Sequence, residues 1–257
     1  MKYNTLLRYR DFLISKGLST STALTYYKAV CYLLDGQYLM DCRNLDIEAV
    51  LDKLRRVKYK GQYSKYKNAF LKLCAFLDIK LSTDTRLELD TMLSTKKRQH
   101  RKLKPVKLSD IQRHINRAAD EKLRLSLETM LYTGLRVSEL AGIKKEDCTI
   151  LNGRIKLSFI GKGGGHESAY IDKAKDSRFF EALLSFINEE KTSEKIFYLA
   201  SYLQAKALEK GFCTHDLRRA FAKVTYGACK DIDTVRQLLR HSKLKNTRLY
   251  LRSKVEI

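Results

Sequence analysis

Six residues in the second half of the chain are of types that can attack and hold a phosphodiester. Arg136 lies in TGLRVSEL (133–140), Lys162 in FIGKGGGHESAYI (159–171), and His215 and Arg218 in THDLRRAFA (214–222). His241 and Tyr250 lie in LLRHSKLKNTRLYL (238–251). Together they offer a hydroxyl nucleophile, cations for the charge of a phosphorane, and proton carriers. That combination suits metal-free cutting and rejoining of DNA strands.

Each residue also has a plainer reading. Arg136 can grip two non-bridging phosphate oxygens, with Glu139 three residues on holding the guanidinium; equally, the two could form an ordinary surface ion pair. Lys162 sits at the tip of a glycine-rich turn, where an ammonium could protonate a leaving 5′ oxygen. A turn tip is also a usual place for an idle lysine, and neighbouring His166 reads as surface. His215 and Arg218 are spaced i, i+3 near a helix start that Thr214 can cap, a face suited to an anion. A phenol ionises only near pH ~10 in water, so Tyr250 attacks only where cations or a base assist it. By spacing alone Tyr250, one of 15 tyrosines, reads as a core or surface aromatic.

The elements that must position these groups fall into two segments of the 257-residue chain, which is long enough for one large domain or two ordinary ones. From Lys96 to Lys107, KKRQHRKLKPVK carries seven Lys or Arg, no acid and the chain's single proline, Pro105. Such a stretch reads as a linker. The expected division is a helical domain over 1–95, a basic linker over 96–106 and a second domain over 107–257.

The first segment predicts four or five short-linked helices. Leu7, Phe12, Leu13 and Ile14 lead to Gly17, and Ser19 or Thr20 can cap a helix bearing Leu24, Tyr27, Val30, Cys31 and Leu34. Val50, Leu51 and Leu54 mark a third stripe and Phe70, Leu73 and Cys74 a fourth. Lys58, Tyr59, Lys60, Tyr63, Lys65, Tyr66 and Lys67 interleave cations with phenols, a pattern for DNA contact or for a solvated face with partly buried tyrosines. The DNA-contact set read from sequence is Lys58, Lys60, Tyr63 and Lys65, with Lys96, Lys97, Arg98, Arg101, Lys102 and Lys104 of the linker.

In the second segment Ser109 is a plausible cap for a helix through Ala118, and another runs from about Glu121 to Gly134. Ile155, Leu157 and Phe159 alternate with polar residues, and Ala169 and Ile171 follow the glycines: strand, turn, strand. Helical patterns return from Lys175 to the end.

Fifty-one Lys and Arg against 29 Asp and Glu give a formal charge of +22, as expected of a protein that neutralises phosphates, although excess lysine can also serve solubility. Six cysteines without any C-x-x-C pair indicate neither a zinc site nor a disulfide framework. No signal segment and no membrane-length apolar run is visible, so a cytoplasmic, DNA-associated protein is expected.

The ordered set Arg136, Lys162, His215, Arg218, His241 and Tyr250 resembles the tyrosine recombinase, or phage integrase, family, over about 107–252. The resemblance implies a mainly α fold with a small β-hairpin. It further implies a two-domain clamp: an all-helical, SAM-like core-binding domain followed by an α+β catalytic domain. It implies that Tyr250 forms a 3′-phosphotyrosyl bond, Arg136 and Arg218 stabilise the phosphorane, Lys162 is the general acid, His215 and His241 assist, and Glu139 supports. No cofactor and no metal are implied. Partners would be duplex DNA with inverted-repeat core sites, further copies making a tetramer, and accessory proteins; strand exchange would pass through a Holliday junction, as in a mobile element. Alternatives are a silent DNA-binding protein of the same fold, or a type IB topoisomerase or resolvase-like enzyme.

Three departures stand out: Arg219 where relatives often carry His, Arg240 where Gly is frequent, and only seven residues after Tyr250. The last leads to the expectation of a short C-terminal element and an altered mode of assembly. The short N-terminus likewise leads to the expectation of no arm-binding domain.

Overall fold

The computed structural model describes residues 4–34, 45–97, 105–189 and 195–257. The chain divides into two compact units, Met1–Lys102 and Leu103–Ile257.

The first unit is helical: α1 (Asn4–Ser15), α2 (Thr20–Leu33), α3 (Ile47–Arg56), α4 (Lys60–Phe76) and α5 (Thr83–Thr95). Short polar side chains start three of these helices. Ser19 accepts from the Thr22 amide, Asp46 from Ala49 and Ser82 from Thr85, each cap worth about 1 kcal/mol. The core gathers Leu13, Val30, Leu33, Leu51, Leu54, Phe70 and Leu73. The stripe read for α1 is partly displaced: Leu7 and Ile14 are exposed, while Tyr9 joins Leu13 inside. A phenol is tolerated there because its hydroxyl donates to the Ala69 carbonyl at 2.9 Å. Leu24 of α2 also faces solvent.

The basic segment is held at its described ends. Lys96 Nζ donates to the Arg55 carbonyl at 2.7 Å, and the Lys60 amide donates to Lys97 O at 2.9 Å. Val106–Lys107 forms β1 in the second unit. Arg98, Arg101, Lys102 and Lys104 lie outside the described residues.

The second unit continues with α6 (Leu108–Asn116), α7 (Glu121–Thr133), the short α8 (Val137–Leu140), and strands β2 (Cys148–Leu151), β3 (Arg154–Ile160) and β4 (His166–Asp172). Then follow α9 (Ser177–Glu189), α10 (Ala200–Glu209), α11 (Thr214–Cys229), α12 (Ile232–Leu238), α13 (Leu244–Leu251) and β5 (Val255–Glu256). The sheet order is β2-β3-β4, antiparallel, with Leu157 opposite Ala169 and Ile155 opposite Ile171. The inward residues of β3, Ile155, Leu157 and Phe159, are buried in the core with Leu125, Met130 and Leu183. Each contributes roughly 1.5–3 kcal/mol of burial.

Four local expectations change. Lys107, not Ser109, occupies the cap position of α6. Cys213, not Thr214, precedes α11; Thr214 is its first residue, and Asp216 accepts from the Cys213 amide at 2.8 Å. β2 adds a strand that the alternation pattern did not predict. The chain ends in a strand rather than a helix, with Val255 buried and paired in parallel with Val106. Lys223 Nζ holds this tail by donating to Ser253 O at 2.8 Å and Val255 O at 2.6 Å.

Among the described residues no helix is long and apolar enough to cross a membrane, and no group of three His, Cys, Asp or Glu side chains is placed to hold a metal ion. Cys74 is buried, Cys31, Cys148 and Cys213 are half-buried, and Cys229 is exposed; all are free thiols. Cys42 lies outside the described residues.

Candidate active site

Gly134 makes the site possible. It ends α7 in the left-handed conformation, φ 63°, and an added Cβ would stand 2.4 Å from Phe221 of α11. Only glycine lets α7 and α11 meet this closely. The Gly134 carbonyl then accepts from Arg218 Nη1, and the Leu239 carbonyl after α12 accepts from Nη2. Arg218 is fully buried, the largest such side chain in the described chain. Its Nε has no hydrogen-bond partner among the described residues. Burial, then Arg136 and Arg240, push its pKa down to about 10, so it remains charged at neutral pH.

Arg136 caps α8, and its amide donates to Glu139 Oε2 at 2.7 Å while its guanidinium pairs with Glu139 Oε1. The Glu139 side chain is 2% exposed and lies 3.8 Å from Arg218 Nη1 and 4.0 Å from Arg240 Nη2. One carboxylate thus faces three guanidiniums. The excess positive charge is what an incoming phosphate would neutralise.

Arg136, Arg218 and His215 line one cavity of about 210 Å³, with Thr214 and Gln204. His215 Nδ1 is 3.5 Å from the Tyr250 hydroxyl. Partial desolvation, then Arg219, Arg218 and Arg136, hold its pKa below the usual histidine value, although the side chain keeps an exposed edge. Arg219 itself is tied to Asp216 Oδ1 at 2.6 Å.

His241 is 6% exposed, and burial, then Arg218, Arg136 and Arg240, push its pKa down to about 4. It is neutral at physiological pH. Its Nδ1 lies 3.1 Å from Thr247 Oγ1, and its ring stands edge-on to Tyr250, centroids 5.0 Å apart. The Tyr250 ring packs against the small cluster of Ala222, Val235 and Leu239. α11, α12 and α13 therefore set the direction of the Tyr250 phenol through apolar contacts.

Lys162 stands apart. It occupies the 161–165 turn, exposed from 162 on and closed by the Gly161 amide donating to Gly165 O at 2.8 Å, and has no hydrogen-bond or ion-pair partner among the described residues. Five of the six motif residues are thus gathered, and the sixth is carried by a hairpin.

Sequence reasoning missed three groups. Thr247, buried in α13, carried no signal. Glu167 of β4 and Arg240 meet at 3.4 Å. Arg240 was visible only as an oddity where glycine is frequent, and the structure explains the oddity: its φ is 55°, a left-handed conformation costing an arginine about 1–2 kcal/mol.

The candidate DNA-contact residues of the first unit separate by burial. Lys58 and Lys97 are exposed; Lys60, Lys65 and Lys96 are half-buried. Tyr63 is corrected: it is wholly buried, its hydroxyl donating to Leu89 O at 2.8 Å, so it cannot reach a duplex. Tyr66 and Lys67 are also buried, the latter paired with Asp90.

Comparison with known proteins bears on the family and the fold. Residues 101–256 match the Phage integrase family. Tyrosine recombinase XerD of Shewanella oneidensis is 25% identical over 272 residues, 93% of this chain and 88% of that protein. XerD of Pseudomonas aeruginosa is 29% identical over 145 residues, and there the alignment spans about half the length of each protein. The fold is similar to that of a lambda integrase (75–356) dimer bound to a COC′ core site, with a TM-score of 0.67 at 17% identity over 98% of this chain and 95% of that one. It is also similar to XerH bound to a palindromic difH substrate, with a TM-score of 0.59 at 15% identity over 91% and 75%. By its matched residues and its fold, the chain belongs to the phage integrase family, the tyrosine recombinases that cleave and rejoin DNA.

Proposed function

We propose that this chain is a site-specific recombinase that exchanges strands between two duplex DNA sites through a 3′-phosphotyrosyl intermediate. The observation that carries the reading is the Tyr250 hydroxyl, 3.5 Å from a histidine that lines the same cavity as Arg136 and Arg218.

Tyr250 Oη attacks phosphorus and the P–O5′ bond breaks. His215, whose pKa is lowered from the usual histidine value, takes the phenol proton. Arg136 and the unpartnered Nε–H of Arg218 meet the developing phosphorane charge. Where Thr247 donates to His241 Nδ1, Nε2 keeps its proton and becomes a donor to a non-bridging oxygen. Lys162, brought in by its hairpin, protonates the departing 5′ oxygen. The reverse steps, with a 5′ hydroxyl from the partner duplex as nucleophile, reseal the strand. The phosphotyrosine conserves bond energy, so no nucleotide or metal enters these steps.

Two duplexes have four strands and each chain carries one set of six residues, so a tetramer on inverted-repeat core sites is the natural assembly. The exposed lysines of the first unit add phosphate contacts. The protein would work in the cytoplasm, where the DNA is, with or without accessory proteins.

The test is a covalent trap. Wild type and Tyr250→Phe are incubated in chelator with fragmented host and mobile-element DNA, then denatured in detergent, and any attached DNA is sequenced. Adducts at one defined sequence that vanish in the variant support the reading. Binding without adducts by wild type points to a silent DNA-binding protein, and adducts without joining of different molecules point to a relaxing topoisomerase.

A further inference from the structure

We propose that Arg240 is a positioning residue for Lys162, acting through Glu167 at the base of the β3–β4 hairpin. The inference rests on the recombinase reading above and adds to it a part for Arg240 and Glu167.

Arg240 turns its side chain inward from a left-handed residue, stacks its guanidinium 5.1 Å over the Phe159 ring, and is 12% exposed. Its Nη2 lies 4.0 Å from Glu139 Oε2, inside the active site, and its Nε lies 3.4 Å from Glu167 Oε2, on the hairpin. Glu167 pairs across the sheet with Phe159, the same residue whose ring the guanidinium covers. The Glu167 carboxylate fills the space where a side chain on Gly161 would sit: an added Cβ there would be 2.4 Å from Glu167 Cδ. Gly161 precedes Lys162 and closes the turn by its bond to Gly165. A chain of contacts therefore runs from Glu139 through Arg240 and Glu167 to Gly161, one residue from Lys162.

The link is loose as well as continuous. Arg240 Nε and Nη2 and Glu167 Oε2 are all buried without a hydrogen bond among the described residues. Buried polar atoms this close gain by closing to hydrogen-bond distance. Closing would draw the carboxylate, and with it Gly161, toward Arg240. The guanidinium needs a residue at 240 that tolerates φ 55°, and glycine tolerates it best. Arg240→Gly therefore removes the tether while relaxing the backbone, and Glu167, 30% exposed, can still be hydrated.

Two measurements test this. First, amide hydrogen exchange across 160–166 should quicken about tenfold or more in Arg240→Gly and in Glu167→Gln, with α7 and α11 unchanged and thermal unfolding confirming a folded protein. Second, single-turnover cleavage of ordinary DNA should slow about 10- to 100-fold in Glu167→Gln, as expected for a displaced acid. Glu167→Asp should restore part of the rate. On a substrate with a 5′ thiol leaving group, which needs no acid, the Glu167→Gln rate should return to near wild type. Glu167→Gln combined with Lys162→Ala should be no slower than Lys162→Ala alone. A defect that persists on the thiol substrate, additive losses in the double variant, or unchanged exchange at the hairpin would overturn the proposal. If wild type cleaves neither substrate, the recombinase reading fails, and the exchange measurement still decides the Arg240–Glu167 tether.

Discussion

Both units place cations beside aromatic rings, and they do so to opposite ends. Around α4, half-buried lysines border a helical core: Lys65 Nζ sits 5.0 Å from the Tyr66 ring, and Nζ of Lys96, just after α5, 5.2 Å from that of Tyr63. The tyrosines serve the interior: the Tyr63 hydroxyl donates to the Leu89 carbonyl, and that of Tyr66 accepts from Gln62 Nε2 at 3.1 Å. In the second unit the cations themselves go inside, and three guanidiniums share one buried carboxylate. Charge at a surface is screened and cheap, whereas charge held in the interior, fixed by carbonyls and short of counter-ions, is a preorganised receptor for an anion. Composition is similar in the two regions, and burial is what separates them.

The sharpest way to break the contrast is Arg218→Met. It leaves the Gly134 and Leu239 carbonyls unpaired, which should cost about 2–4 kcal/mol in urea unfolding. Cleavage in a single-turnover assay should fall about 10²- to 10³-fold. A variant as stable as wild type would show that the buried cation is not held as described.

Next comes pH. His241 is depressed to about 4 in the folded chain, against ~6.5 for a free histidine. Between these values the unfolded chain binds the extra proton, so stability falls as pH falls through ~6.5 toward 4. His215, also depressed, acts in the same direction. The His241 share should be about 2 kcal/mol between pH 7.5 and 5, read as the difference in pH slope between wild type and His241→Asn. Equal slopes would place His241 in water rather than among arginines.

The third prediction concerns the buried phenol. Tyr63→Phe removes one hydrogen bond to Leu89 O and should lower stability by about 1 kcal/mol. DNA affinity at fixed salt should not change. A loss of affinity without loss of stability would return Tyr63 to the DNA surface.

What could be read from sequence follows the same division. The six motif residues were legible as a set because their types and their order along the chain are distinctive. The β3–β4 hairpin was legible because Ile155, Leu157 and Phe159 alternate against a core and glycines mark the turn. β2 was not, because its residues 149–151 are exposed and show no alternation, and β5 is too short for any period. Tyr63 misled because interleaved lysines suggested a polar face. The steps Tyr59, Tyr63 and Tyr66, four and three apart, instead place phenols along one helical side, where Tyr63 and Tyr66 are buried. Arg240 and Glu167, 73 residues apart by number, meet only through tertiary packing, which no local pattern encodes.

The smallest effect is the most discriminating for the first unit. Lys58 is exposed, with its ammonium 5.7 Å from the Tyr59 ring, and Lys60 and Lys65 are half-buried along the start of α4. If these ammoniums meet phosphates, replacing Lys58, Lys60 and Lys65 by Gln should reduce the slope of log K against log salt by about 0.9 for each lost contact. Unfolding free energy should stay within about 0.5 kcal/mol, because surface cations contribute little to the fold. The slope, rather than the affinity at one salt concentration, is the proper readout, since counterion release is what a phosphate contact produces and a packing defect does not. An unchanged slope with unchanged stability would mean that these lysines only solvate the helix. The electrostatic grip on DNA would then belong to the second unit and to the basic residues between 98 and 104.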